Sequence, residues 1–447
     1  MHSKRYYKPD KQLYLYYGSV WDCFRHKWRR KDILQFIEEY GGIDRKLIIE
    51  ETLADEVSTY RKEAAWNIAY MLADVTEDIV YRGIPPDDIE PVKIRKRPDG
   101  MTGKIRDIAM LCILHQLLEH TAYNMLSPLF KARLYPTQHA SIPGRGQTKL
   151  KNQVHSYMLR ESLGIKVIQK TDVVHAYATL QYSVIVKILR KEIPKAKEAI
   201  ALLEYLGSIA PGGHLIIGGY LDAWLFNFAM SYAIADLYSL TTTRRGKTTR
   251  KVIRVESYMD DFSIMTASVT NMKAALKELK RYCNENLGVD IRTTTGMMQL
   301  LTVEEEKRRK KLPKPSQRGV PMLDMAGYRV SRTHVTIRRR VFKRTRRQLL
   351  RGWRELQENG TLTRFRSQKI IAYNGYIRQT DSRKIQEKYH THELMRVAKK
   401  VSRHHTRYEQ AKRKEQINDL HRYYIEHPAG KDPDRKVAGL HQFRQAL

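Results

Sequence analysis

Two adjacent carboxylates, Asp260 and Asp261, stand in the run Val255-Glu256-Ser257-Tyr258-Met259-Asp260-Asp261-Phe262-Ser263-Ile264-Met265. The residues on either side favour β-structure, so the pair is expected at the tip of a tight hairpin. Like charges side by side repel, and each carboxylate is costly to hold away from water. A divalent cation relieves both problems: Mg²⁺ takes carboxylate oxygens and keeps coordination positions free for substrate phosphates. An acidic surface turn would carry the same two residues, although Tyr258 and Phe262 box the pair in. The candidate for a third carboxylate is Asp172, which ends the strand-like run Ile165-Lys166-Val167-Ile168-Gln169-Lys170-Thr171-Asp172. An aspartate in that place could equally cap a helix. If the two strands are neighbours in one sheet, three carboxylates converge. Such a cluster suits a two-metal site that activates a hydroxyl nucleophile and stabilises the leaving oxygen in an in-line displacement at phosphorus.

The elements that must position these residues follow from pattern. Residues 13–84 read as helical, with Trp21, Phe24, Ile33, Phe36 and Ile37 at helical spacing, then Ala65, Ile68, Met71 and Leu72. Gly41-Gly42 and Gly83-Ile84-Pro85-Pro86 interrupt and end that region. Val92-Lys93-Ile94-Arg95-Lys96-Arg97 alternates as a half-buried strand would, Pro98-Asp99-Gly100 turns, and Lys104-Ile105-Arg106-Asp107-Ile108 returns. The product is a hairpin rich in cations, either simply solvated or a flap for a triphosphate or a template backbone. Leu114, Leu117, Leu118 and Ala122 mark a helix over 111–129. Gly144-Arg145-Gly146 lies in a basic loop before another helix, where amides and side chains could meet phosphate. Pro211-Gly212-Gly213 and Gly218-Gly219 precede an apolar helix over 221–237, without the lysine and hydroxyl that close a nucleotide P-loop. A polar hairpin tip is expected over 241–250 and an amphipathic helix from Met272 to about Gly288. Lys307-Arg308-Arg309-Lys310-Lys311 reads as a solvated loop. From Ser331 onward cations interleave with Phe342, Trp353, Phe365, Tyr373 and Tyr376, a mixture suited to nucleic acid or to a basic face over an aromatic core.

Charge narrows the partner. Against 48 acidic residues stand 82 basic ones, a formal net charge of +34. A polyanion explains that self-repulsion; nucleic acid comes first and an anionic membrane surface second. No apolar run reaches the ~18 residues of a spanning helix, and the N-terminus lacks the apolar core of a signal peptide. Cys23, Cys112 and Cys283 are too scattered for a disulfide framework or a zinc site, which points to a reducing, cytoplasmic compartment. A hydrophobic content of 42% fits a folded chain.

Taken in order, the boxes resemble those of reverse transcriptases, nearest to the bacterial and phage enzymes of diversity-generating, defence-associated and group II intron types. Tyr258-Met259-Asp260-Asp261 looks like the Tyr-x-Asp-Asp box, Asp172 with Tyr177 like the first catalytic box, and Ile217-Gly218 like the glycine box between them. Ala326-Gly327-Tyr328-Arg329-Val330 resembles the primer-grip turn, and Lys104, Arg106 and Gly144-Arg145-Gly146 resemble finger boxes. The resemblance implies an α+β right-hand polymerase with an antiparallel palm sheet, helical fingers and a helical thumb. It divides the chain into an N-terminal helical region (1–90), fingers (91–165), palm (166–330), thumb (331–395) and a basic C-terminal extension (396–447). It implies RNA-directed DNA polymerase activity on an RNA template, with dNTPs as substrates, DNA as product and antiphage defence as setting. A structured non-coding RNA is the expected template, no membrane is involved, and an oligomer is left open. Asp172, Asp260 and Asp261, with the Val173 carbonyl, would bind two Mg²⁺ ions, for which Mn²⁺ could substitute. Lys104 and Arg106 would hold the triphosphate. Tyr177 would lie under the sugar and exclude a 2′-hydroxyl, Gly218 would serve substrate binding, and Gly327 and Tyr328 would place the primer end. The chain departs from these relatives at Asp222-Ala223, where they usually carry Ser-Gln, and it has no Cys-rich endonuclease segment. A maturase-like RNA-binding protein on the same scaffold is the alternative, as is a diversity-generating enzyme.

Overall fold

A computed structural model describes residues 12–54, 58–98, 105–313 and 319–426. It is a mixed helix-and-sheet architecture in which the strand pairs of every sheet are antiparallel. In chain order the strands are β1 (Lys93–Pro98), β2 (Ile105–Met110), β3 (Val167–Val173), β4 (Thr241–Arg244), β5 (Lys247–Arg250), β6 (Val252–Tyr258) and β7 (Asp261–Thr266). They continue as β8 (Ile291–Thr293), β9 (Met298–Gln299), β10 (Leu323–Met325), β11 (Tyr328–Val330) and β12 (Val335–Ile337). Five of them form the main sheet in the order β6-β7-β3-β8, with β9 also on β3.

The main sheet carries apolar side chains on both faces, and the two faces serve different cores. Val167, Val173, Phe262 and Ile264 point into the larger core with the helices Tyr220–Ser239 and Val269–Tyr282. Ile168 and Met265 point the other way, against Leu150, Val154 and Met158 of the helix Gln147–Leu159 and against the small sheet β10-β11-β12. Successive strand residues alternate faces, so this division also fixes where the polar residues go. Lys170 and Asp172 share the face of Ile168, and Asp261 and Ser263 share the face of Met265.

The N-terminal helices Gln12–Phe24, Lys31–Tyr40 and Thr59–Glu77 join the larger core through Val20, Phe24, Ile33, Ile37, Ile68 and Leu72. A third core holds the helices Arg339–Asn359, Arg364–Arg378 and Thr391–Glu426 together through Leu349, Leu356, Ile370, Ile377 and Leu394. The last of these helices runs unbroken through position 396, where the composition turns polar. None of the helices among the described residues is long and apolar enough to cross a membrane.

Two expectations fail. The run 307–311 is not a loop but the end of a helix, Val303–Lys310. Thr302 caps it by accepting from the Glu305 amide, and acidic residues open it while basic ones close it, as the helix dipole favours. Its Glu306 is buried, accepting from the Ser331 hydroxyl and the Arg332 and Thr333 amides, which docks the helix on the β11–β12 turn. Strand β1 is exposed along its whole length rather than on one face. The turn expected at Pro98-Asp99-Gly100 and the candidate Lys104 fall at 98–104, of which 99–104 lie outside the described residues.

The β10–β11 turn is Ala326-Gly327, and both residues have positive φ (46° and 88°). That pair of values belongs to two-residue hairpin turns and suits glycine. A Cβ on Gly327 would also lie 2.8 Å from Cε1 of Tyr376, which joins this hairpin to the third core. Gly327→Ala should therefore lower the unfolding free energy by about 1–3 kcal/mol, combining the left-handed backbone cost with the ring contact. Equilibrium denaturation measures it, and an unchanged midpoint would contradict the packing described.

Candidate active site

The sheet brings Asp172 and Asp261 directly opposite one another, as paired residues of β3 and β7. The turn between β6 and β7 is Met259-Asp260, since Tyr258 pairs with Asp261. Asp260 therefore sits at the tip and Asp261 opens the return strand. Met259 has a φ of 52°, a position that hairpins of this length normally give to glycine. Its thioether is held from two sides, by the Tyr177 hydroxyl at 3.7 Å and the Asn227 amide nitrogen at 4.0 Å. The Val173 amide donates to the Asp260 carbonyl at 3.0 Å, tying the tip to the end of β3. The three aspartates thus stand next to one another at one end of the main sheet.

Two cations answer the cluster. Arg292 of β8, paired with Asp172 in register, donates to Asp172 Oδ2 at 2.7 Å. Lys170, two residues before Asp172 and on the same face, reaches Asp261 Oδ1 at 2.8 Å. Among the described residues Asp260 has no such pairing, and its carboxyl is pushed up to about 6. Burial is the main cause, followed by the charges of Asp261 and Asp172, with Arg106 pulling the other way. Burial also raises Asp261, against the pull of Lys170.

The cluster faces a cleft of about 790 Å³ whose walls include Ile94, Arg106, Asp172, Tyr177, His214, Ile217, Met259, Asp260 and Arg292. Tyr177 lies in the short helix Ala176–Thr179 and stacks on Phe226 at 5.7 Å with an interplanar angle of 18°. Its hydroxyl contact to Met259 fixes the ring edge-on to the turn. Arg106 hangs from β2, and β2 is anchored by the Ala109 amide donating to the Ile217 carbonyl at 2.7 Å. That approach explains Gly218: its φ is 128°, and a Cβ there would lie 2.6 Å from the Ala109 carbonyl oxygen. Gly218 shapes the cleft by letting β2 close on it and is not itself among the lining residues.

Gly327 and Tyr328 stand to one side. Tyr328 is buried in the second core beside Tyr376, with Tyr258 and Ala326 packed around it. Since Tyr258 also lines the cleft, the β10–β11 hairpin adjoins the cluster without entering the cleft. Arg145 differs from its expected phosphate role: its guanidinium is turned inward onto the carbonyls of Tyr135 and Gln138.

Sequence reading passed over Lys170, Arg292 and the wall residue His214. Lys170 carried a signal, the two-residue strand period that places it beside Asp172. Arg292 carried none, because its place depends on the β3–β8 register.

All-oxygen, anionic donors suit Mg²⁺ or Mn²⁺, and the cluster already attracts two side-chain cations, so the residues fit such ions in kind. Among the described residues, however, no three His, Cys, Asp or Glu side chains stand gathered as ligands. Asp172 and Asp261 point to Arg292 and Lys170 instead.

Asp260 carries a consequence for stability. Its folded value lies above the ordinary 3.8, so the metal-free protein should lose stability as pH rises from 3.8 through about 6. Asp260→Asn removes that loss and should stabilise the metal-free protein at neutral pH by about 1–2 kcal/mol, after allowance for partial exposure. Thermal melts in chelator test this; a destabilised variant would refute the electrostatic account.

No family model matches the chain. No curated protein matches it either. Among solved structures, apo telomerase from Candida tropicalis aligns with a TM-score of 0.36 at 9% identity, covering 73% of this chain and 75% of that one.

Proposed function

We propose that this chain is an RNA-directed DNA polymerase that extends a primer 3′ end with dNTPs. The observation that carries the reading is the meeting of Asp172, Asp260 and Asp261 at one end of an antiparallel sheet, facing a cleft walled by Arg106 and Tyr177. The three aspartates with the Val173 carbonyl would hold Mg²⁺, which when bound supplies charge stabilisation to the attacking and leaving oxygens.

The chain's own groups do the rest. Arg106, facing Asp260 from β2, pairs with the triphosphate as Lys104 would from the same hairpin. The Tyr177 ring, braced by Phe226 and Met259, would lie under the sugar and clash with a 2′-hydroxyl. The β10–β11 hairpin, packed on Tyr258, sets the height of the primer end through Gly327 and Tyr328. Arg292, paired with Asp172 and largely exposed, would give up that carboxylate to bound ions and offer its guanidinium to the phosphates. In the reaction the primer 3′-hydroxyl bonds to the α-phosphorus and loses its proton, while the α–β bridging oxygen leaves with pyrophosphate. The basic helices Arg339–Asn359 and Arg364–Arg378 offer the charge that a template–primer duplex needs. With a net charge of +34, RNA is the fitting template and partner.

The test is Mg²⁺-dependent incorporation of dNTPs on a primed RNA. Asp260→Ala should abolish it, by about 10³-fold or more, while RNA binding persists. Equal activity in the variant would remove the aspartate cluster from the chemistry. RNA binding with no synthesis by the wild type on any primed template would favour an RNA-binding, maturase-like role. Tyr177→Ala should raise the incorporation of ribonucleotides relative to deoxyribonucleotides by about tenfold or more, measured as the ratio of their kcat/KM values. An unchanged ratio would dismiss the ring as the sugar's selector.

A further inference from the structure

A second pair of carboxylates lies behind the cleft and is fully buried. Glu119 belongs to the helix Ile113–Arg133 and Asp222 to the first turn of the helix Tyr220–Ser239, and both are 0% exposed. Each uses one oxygen conventionally. Asp222 Oδ1 accepts from the Tyr182 hydroxyl at 2.9 Å and the Ile216 amide at 3.2 Å. Glu119 Oε2 accepts from the Tyr220 amide at 2.7 Å. The other two oxygens, Glu119 Oε1 and Asp222 Oδ2, have no hydrogen-bond partner. They converge on one point: a Cβ built on Gly219 would lie 1.9 Å from Asp222 Oδ2 and 2.6 Å from Glu119 Oε1.

Among the described residues no cation stands there to answer two charges. His115 Nε2 is 3.9 Å from Glu119 Oε1, too far for a hydrogen bond, and burial pulls its ring down to about 4, so it is neutral. His120, stacked on Tyr220, is likewise pulled down to about 3, by burial and then by Lys27. Tyr182 is driven well above its ordinary range by burial and by the two carboxylates, so it remains a donor. From the helix Gln12–Phe24, Cys23 is held as a thiol, pushed up to about 12 by burial. Tyr177, Tyr220 and Tyr123 are also raised, chiefly by burial. Two ionised, unpaired carboxylates buried side by side would be prohibitively costly, and one proton removes both the repulsion and the two orphan oxygens.

We propose that Glu119 and Asp222 share a single proton, and that the resulting carboxyl–carboxylate pair is a positioning device for the cleft. The backbone it grips is residues 216–220. Ile216 and Ile217 line the cleft, and the Ile217 carbonyl anchors β2 and with it Arg106. One end of this segment hangs from Asp222 and the other from Glu119, so the shared proton pins both ends at once. Neither residue touches the reacting atoms. The proton sharing stands on the buried geometry alone; its effect on nucleotide binding rests on the polymerase reading above.

The protonated state is the one the fold needs. Burial raises Asp222 to about 7 and, together with the Asp222 charge, raises Glu119 well above its ordinary value. The folded chain therefore binds more protons than the unfolded one, and stability falls as pH rises from the ordinary carboxylate range through about 7. None of the facing groups titrates in the upper part of that window.

Asp222→Asn supplies a permanent N–H to Glu119 Oε1 and keeps an oxygen for Tyr182 and Ile216. Glu119→Gln does the mirror operation. In thermal melts of the full chain in chelator from about pH 6 to about pH 9, at least one of these variants should reduce the wild-type fall in melting temperature to about half or less. In dNTP incorporation, the wild-type KM should rise by about threefold or more toward the alkaline end, and the same variant should flatten that rise with kcat held within about twofold at neutral pH. Asp222→Ala, which leaves Glu119 unanswered, should raise KM by about tenfold with the smaller change in kcat. Melting curves for both amide variants that run parallel to wild type would overturn the shared proton. Flattened melting with an unaltered KM profile would overturn the positioning role and leave the shared proton standing. If the wild type makes no product at all, the polymerase reading fails, and the melting curves still decide the proton.

Discussion

Like charges held close together at the end of a sheet are the constraint around which this molecule is arranged. Asp172 and Asp261 face each other because β3 and β7 pair in that register, and Asp260 follows because the connecting turn has only two residues. Nothing in that backbone geometry is favourable to three carboxylates. The repulsion is met by side chains of the sheet itself, Lys170 from the strand of Asp172 and Arg292 from the neighbouring β8. Their different exposure gives them different roles. The Lys170 side chain is 10% exposed and is built into the sheet, whereas that of Arg292 is 64% exposed and free to leave. The cluster is thus balanced by one counter-charge fixed in the sheet and one exposed to solvent.

The rest of the architecture supplies walls. The main sheet has cores on both faces, so its strands cannot slide by one residue without exposing one core and burying charge in the other. Register is what sets Asp172 against Asp261, and it is therefore protected by the whole hydrophobic division between Val167 and Ile168, or Ile264 and Met265. The strained Met259 turn belongs to the same logic. A left-handed methionine costs about 1–3 kcal/mol, and it persists because its thioether contacts Tyr177 and Asn227, residues from two other elements. Placing Asp260 and braced Tyr177 with one side chain makes the turn and the cleft floor a single unit.

Much of this was legible in the sequence, for reasons that are local. A strand pattern that ends in an acid, and a hairpin pattern with acids at its tip, reveal Asp172, Asp260 and Asp261 as edge residues of apolar runs. Lys170 was legible too, by the same alternation, but a cation two positions from an acid is common enough to pass unnoticed. Arg292 and Glu119 were not, because their roles arise only from partners more than 100 residues away in the chain. The helix Val303–Lys310 was missed for another reason: its charge run was weighed as a block, while the ordering of Glu304, Glu305 and Glu306 before Lys307, Arg308 and Arg309 carried the information. Arg145 was read by type as a phosphate ligand, and its inward turn onto two carbonyls is a tertiary choice no local pattern encodes. The Asp222-Ala223 departure was visible as a difference in residue type, but its partner was not.

The two acidic clusters solve one electrostatic problem in opposite ways, and the difference follows from what each must do. At the cleft the charges are matched by two side-chain cations, one built into the sheet and one exposed to solvent. Behind the cleft nothing enters or leaves. There a proton is the smallest possible counter-ion, needs no cavity, and ties two helices through Tyr220, Ile216 and Tyr182. A lysine in its place would have to displace Gly219, which already has no room for a methyl group. The close approach that excludes a larger cation is also what draws the two orphan oxygens together, so the tightness of the 216–222 segment and the protonation of its carboxyl pair are one property. That tightness reaches the front of the site through the hydrogen bond from Ala109 to Ile217, which ties β2 of the basic hairpin to this segment.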